Sequence, residues 1–64
     1  MNPEILRLIG IAGSQQALAD TIGKSQQSVS KWKLGLAQPS AQAAVSIEKT
    51  YGTPAHVLRP DIFL

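Results

Sequence analysis

Gln15-Gln16-Ala17-Leu18-Ala19-Asp20-Thr21-Ile22-Gly23-Lys24-Ser25-Gln26-Gln27-Ser28-Val29-Ser30-Lys31-Trp32-Lys33-Leu34 carries two short helical patterns separated by a single glycine. The spacing is the one a helix-turn-helix needs to present its second helix to a DNA major groove. Ala19 lies midway along the first helix, where the second must cross closely and a larger side chain would push the two apart. Gly23 stands at the turn, in a place where left-handed backbone is nearly free for glycine and costly for other residues. Val29 and Trp32 recur at helical spacing and anchor the second helix to the first. Gln26, Gln27, Ser30 and Lys31 are left facing outward.

On a wheel advancing about 100° per residue from Gln26, Gln27 falls at about 100°, Ser30 at about 40° and Lys31 at about 140°, whereas Val29 and Trp32 fall at about 300° and 240°. Polar and apolar faces separate, and the polar face has two carboxamides at its N-terminal end, the end that meets base edges in such motifs. A glutamine amide can bind adenine N6 and N7 bidentately, which is worth ~1–3 kcal/mol of discrimination. Lys31 can reach guanine O6/N7 or a phosphate, and the short Ser30 leaves room for a thymine methyl. These four are the candidate base readers. Gln15 and Gln16 open the first helix of the pair, whose free N–H groups suit a phosphate. Ser25, Ser28, Lys24 and Lys33 flank the face as further phosphate contacts, with Gln38 beyond it. Two of them have a plain alternative: Ser25 as a helix cap alone, Lys33 as a solvated lysine. Trp32 lies on the apolar side of the wheel, which predicts core packing rather than stacking on single-stranded bases.

The 64 residues predict one small domain spanning 1–64, without cysteines or a ligand cluster to staple it. An apolar fraction of 44% and a charged fraction of 16% are those of a globular chain. No stretch is long enough to span a membrane, and a soluble, cytoplasmic protein is expected. The net charge of +2 is modest. Its distribution says more, because Lys24, Lys31 and Lys33 are close together and no acid occurs between Asp20 and Glu48. The middle of the chain therefore suits a polyanion, against the alternative of a merely solvated lysine face.

All segments read as helix, and the fold class expected is all-α with five short helices. Asn2-Pro3-Glu4 opens the first, with Ile5, Leu8 and Ile9 as its apolar stripe and Gly13 as its stop. Ser14 caps the second, where Ala17, Leu18 and Ile22 point inward and Gln15, Gln16 and Asp20 outward. Ser25 caps the third, which Gly35 ends. A loop from Leu36 to Pro39 follows, with Leu36 expected to tuck beneath it. Ser40 caps a fourth helix to about Tyr51, with Ala44, Ile47 and Tyr51 on its core side and Gly52 as the stop. Thr53-Pro54 opens a short fifth helix that ends before Pro60.

The segment from Gly23 to Trp32 resembles recognition helices of the Cro/repressor helix-turn-helix family of phage regulators. Ala17-Leu18-Ala19, Val29-Ser30-Lys31-Trp32, Ile47-Glu48-Lys49 and Leu58-Arg59-Pro60-Asp61-Ile62-Phe63 together resemble the YdaS-type Cro-like regulators of prophages. The resemblance implies a lambda-repressor-like domain and a transcriptional repressor of phage or prophage origin, active in a bacterial host's nucleoid on palindromic operators. It also implies that Gln26, Gln27 and Lys31 read bases, while Gln15 touches the backbone or braces Gln26. Leu34 departs from the pattern, since relatives often carry a phosphate-binding polar residue there. Some Cro proteins replace the C-terminal helices with strands, but Ser40 to Leu58 reads helical here.

An enzyme is not expected, because the four acids are scattered and His56, the one histidine, has no partner nearby in sequence. No cofactor, metal or small-molecule substrate is implied. The partner expected is double-stranded operator DNA, bound by a homodimer that forms through the last two helices and the tail Ile62, Phe63 and Leu64, or assembles only on DNA. For the tail, closing the core is the alternative. The competing function is an antitoxin-type module that binds a protein.

Overall fold

The computed structural model describes residues 1–63. It contains α1 (Pro3–Ala12), α2 (Gln15–Ile22), α3 (Gln26–Leu34), α4 (Ala41–Tyr51) and α5 (Ala55–Leu58), and no strand among the described residues. Local chemistry sets the boundaries. The Asn2 carboxamide oxygen accepts from the N–H groups of Glu4 and Ile5. Ser14, Ser25 and Ser40 each accept, through Oγ, from the N–H three residues on, at 3.0, 3.1 and 3.1 Å. Each satisfies a donor that a helix start leaves unpaired. The first four helices all end on a glycine, and at the two ends that frame the central pair the geometry depends on it. Gly23 (φ 71°) and Gly35 (φ 80°) are left-handed. Lys24 N–H then reaches back to the Ala19 carbonyl, and Leu36 N–H to the Lys31 carbonyl, both at 2.9 Å, closing Schellman caps.

All five helices contribute to one core: Ile5 and Leu8 from α1, Leu18, Ala19 and Ile22 from α2, Val29 and Trp32 from α3, Ala43, Ala44 and Ile47 from α4, and Ala55 and Leu58 from α5. Ile9, Ala12, Tyr51 and Phe63 pack on it while partly exposed. The most extensive helix–helix contact is between α2 and α3, where Ala19 is fully buried. Its methyl group allows the close crossing anticipated from the sequence. Ala17, expected inside, is only half-buried.

Leu36 corrects the expectation that it tucks beneath its loop. It is 75% exposed, and the buried loop residue is Pro39. The cap is the reason. In a Schellman motif the residue after the glycine lies over the one five positions earlier, and an apolar pair there normally closes the end. Here that earlier residue is the exposed Lys31, so the cap itself supplies no apolar partner for Leu36.

Two long-range fastenings hold α1 to the rest of the fold. The Asn2 N–H donates to the Lys33 carbonyl at 3.1 Å, pairing one of the acceptors that a helix C-terminus leaves free. Within the first half of α1, Arg7 donates to Thr53 Oγ1 at 2.9 Å and to Glu4, whose Oε1 also accepts from Thr53 at 3.2 Å. This ties α1 to the link between α4 and α5. The first turn of α5 has no side-chain cap of its own, and Glu48 Oε2 accepts from Ala55 N–H at 3.0 Å in its place.

Candidate nucleic-acid interface

Along α3 the faces separate as the wheel predicts. Val29 and Trp32 are in the core, and Trp32 at 5% exposure has no ring face left for a base. Gln26, Gln27 and Lys31 are exposed together on the other side, and Ser30 between them is half-buried. The short serine forms a shallow place on the ridge, flanked by the longer amides and the ammonium. Among the described residues no pocket indents the surface, and the polar side chains of α3 stand exposed on it.

The flanking residues divide. Gln16 is exposed and donates to Asp20 at 2.7 Å. Gln15, expected to face water, is half-buried, because its amide leans across to the Gln26 carbonyl at 3.5 Å. Ser25 serves as the cap of α3, and its Oγ also lies 3.0 Å from Ser28 Oγ. Both hydroxyls therefore have partners within the helix start. Lys33 is half-buried and lies nearer the core side of α3 than Lys31 does. Leu34 is 51% exposed, which places an apolar side chain where the resemblance led to a polar one. Gln38 is exposed on the loop after α3.

One neighbour of this face was not legible in the sequence. Gln42, in the first turn of α4, accepts from Lys24 Nζ at 3.3 Å. The residues are 18 apart, and only the packing of α4 against α2 brings them together.

The charges sharpen the picture. Among the described residues the ion pairs are Arg7 with Glu4 and Arg59 with Asp61. Both arginines are thus neutralised away from α3. The hydrogen bond from Arg7, with help from its charge and from Thr53, holds the Glu4 carboxyl below its ordinary range despite the opposing effect of burial. The Arg59 hydrogen bond does the same for Asp61, again against desolvation. Of the remaining acids, Glu48 caps α5 and Asp20 accepts from Gln16. Lys24, Lys31 and Lys33 have no carboxylate against them among the described residues, so the positive charge without an ionic partner gathers around the turn and α3, with Lys49 apart on α4.

The tail divides as well. Phe63 packs on the core, Ile62 is 47% exposed, and Leu64 lies outside the described residues. Among the described residues no helix is long and apolar enough to cross a membrane.

A family model described as bacterial toxin YdaS matches residues 5–64. No curated protein and no solved structure matches the chain.

Proposed function

The chain belongs to the bacterial toxin YdaS family, and from that premise we propose that it is a sequence-specific, double-stranded-DNA-binding transcriptional regulator, a Cro-like repressor of prophage origin, reading the major groove with α3. The observation that carries this reading is the joint exposure of Gln26, Gln27 and Lys31 on a helix capped at both ends and anchored through Val29 and Trp32. Rigid support matters, because base discrimination is lost when the reading side chains can wander. Gln26 and Gln27 address adenine edges, Lys31 a guanine or a phosphate, and Ser30 makes room for a thymine methyl. Lys24, Lys33, Gln16 and the start of α2 contribute phosphate contacts on either side.

A symmetric operator calls for two copies. We place the homodimer contact on α4, α5 and the exposed Ile62, assembled on the DNA. Area favours assembly on the DNA: a standard interface takes roughly 800 Å² from each partner and a small DNA-binding module roughly 600–1,000 Å², together a large share of the 3718 Å² this chain exposes. A smaller protein–protein contact, completed only when both copies sit on one duplex, fits such a surface better. The chain carries no catalytic role in this reading.

A second reading has its own support. The family is described as a bacterial toxin, and Val57 and Ile62 are each 47% exposed near the end of the chain, a surface suited to a protein partner in a toxin–antitoxin pair. Salt separates the two.

Selection of bound duplexes from a random pool, followed by salt titration of the winner, tests the proposal. We expect enriched half-sites about one helical turn (~34 Å) apart, with adenines in each. Affinity should fall with a log–log slope near −0.9 per phosphate neutralised, and Gln27→Ala with Lys31→Ala should abolish the preference. A pool that shows no enrichment, or a double variant that binds as the parent does, overturns the reading.

A further inference from the structure

The segment from Leu58 to Phe63 has no role in the face just described, yet it reaches the loop beside that face. Arg59 uses its guanidinium in two directions. Nε and Nη2 fork onto the two carboxylate oxygens of Asp61 at 2.9 and 2.7 Å, and Nη1 donates to the Pro39 carbonyl at 2.9 Å. The Arg59 side chain is only 18% exposed. Its own carbonyl accepts from the N–H groups of Ile62 and Phe63, at 3.1 and 3.0 Å, so the tail winds around the residue that reaches out.

The place it reaches is anchored by the buried Pro39 ring but is held by few other hydrogen bonds. The loop between α3 and α4 is held on the α3 side by Leu36 and Ala37, whose N–H groups both go to the Lys31 carbonyl. On the α4 side Ser40 turns inward to cap its helix. Pro39 has no N–H to give, and among the described residues the polar group bound to its carbonyl is Arg59. Gln38 is exposed immediately before it.

We propose that Arg59 is a positioning residue for DNA binding: its guanidinium, pre-set by the Asp61 fork, holds the Leu36–Pro39 loop against the body of the protein so that Gln38 meets the duplex beside α3. The inference rests on the reading given under Proposed function. Arginine is required rather than positive charge alone, because only a planar fork can engage a carboxylate bidentately and still direct a further donor at a carbonyl. A lysine keeps the charge and loses the geometry.

Three readings on Arg59→Lys test this. In the free protein, exchange of the hydrogen-bonded loop amides Leu36 and Ala37 should quicken, while that of the α2–α3 core amides stays as in the parent. On the selected duplex, affinity should fall about tenfold, equivalent to ~1.4 kcal/mol, with the active fraction and the salt slope unchanged because the lysines are untouched. A general loss of folding would lower the active fraction instead. Finally, Gln38→Ala should weaken the parent but add nothing to Arg59→Lys, since both remove one contact. If Arg59→Lys fails to fold, Asp61→Asn carries the same comparison at a side chain that is 54% exposed, and Asp61→Glu, which keeps the fork, should restore parental behaviour. Loop amides that exchange as in the parent, or a Gln38→Ala cost that is equal in both backgrounds, overturn the inference. A parent protein that binds no duplex would instead remove the DNA-binding reading, while the exchange measurement still decides whether Arg59 fastens the loop.

Discussion

Two glycines show how much one methyl group means at different backbone conformations. An added Cβ at Gly23 or at Gly10 would meet nothing within 4 Å, so sterics against the rest of the fold do not separate them. Gly23 has φ 71°, where an L side chain crowds its own carbonyl at a cost of roughly 1–2 kcal/mol. Gly10 is an exposed residue inside α1, where glycine gives up roughly 0.5–1 kcal/mol relative to alanine. Gly23→Ala should therefore lower the urea midpoint and Gly10→Ala raise it, both with an unchanged m-value. A midpoint moving the same way in both variants would contradict this account of the turn. Trp32 and Leu36 show the same dependence on context for apolar residues. The wheel alone buries Trp32, whereas Leu36 stands outside because the cap sets it over Lys31 and supplies no apolar partner.

Among the elements, α1 depends on more than its own sequence. Its N-terminus is bound to α3 through Asn2 and Lys33, and its Glu4–Arg7 pair to Thr53. The hydrogen bond from Arg7 lowers the Glu4 pKa in the folded state. A depressed carboxyl contributes stability that is present above its unfolded pKa and is lost as pH falls through the folded one. Glu4→Gln should accordingly be less stable than the parent at about pH 7, and the gap should close as the buffer is taken below the Glu4 pKa; a gap that stays constant to about pH 2 would contradict the assignment. Helix limits were legible in the sequence because caps are local: Ser14, Ser25 and Ser40 each bond three residues ahead. Of the candidate site, the exposure of Gln26, Gln27 and Lys31 was legible for the same reason, since helical phase fixes it. What was not legible is tertiary. Arg7 with Thr53, Lys24 with Gln42 and Arg59 with Pro39 join residues 46, 18 and 20 positions apart, and no local pattern marks them.

At the scale of the whole molecule, the fold sorts charge as well as packing. Both arginines pair with carboxylates outside α3, and the lysines around the turn have no carboxylate partner among the described residues. With a Cα radius of gyration of 10.3 Å, the protein is a small body on which α3 forms a cationic, amide-bearing ridge. The central claim is that this ridge enters a major groove. The most direct measurement is a titration of isotope-labelled protein with the selected duplex, following the side-chain amide resonances of Gln26 and Gln27 and the Lys31 ammonium. The account predicts that these signals move first and furthest, while those of Val57 and Ile62 respond only when a second copy binds. Side-chain signals on α3 that stay in place while the duplex is bound elsewhere, or not at all, would contradict it.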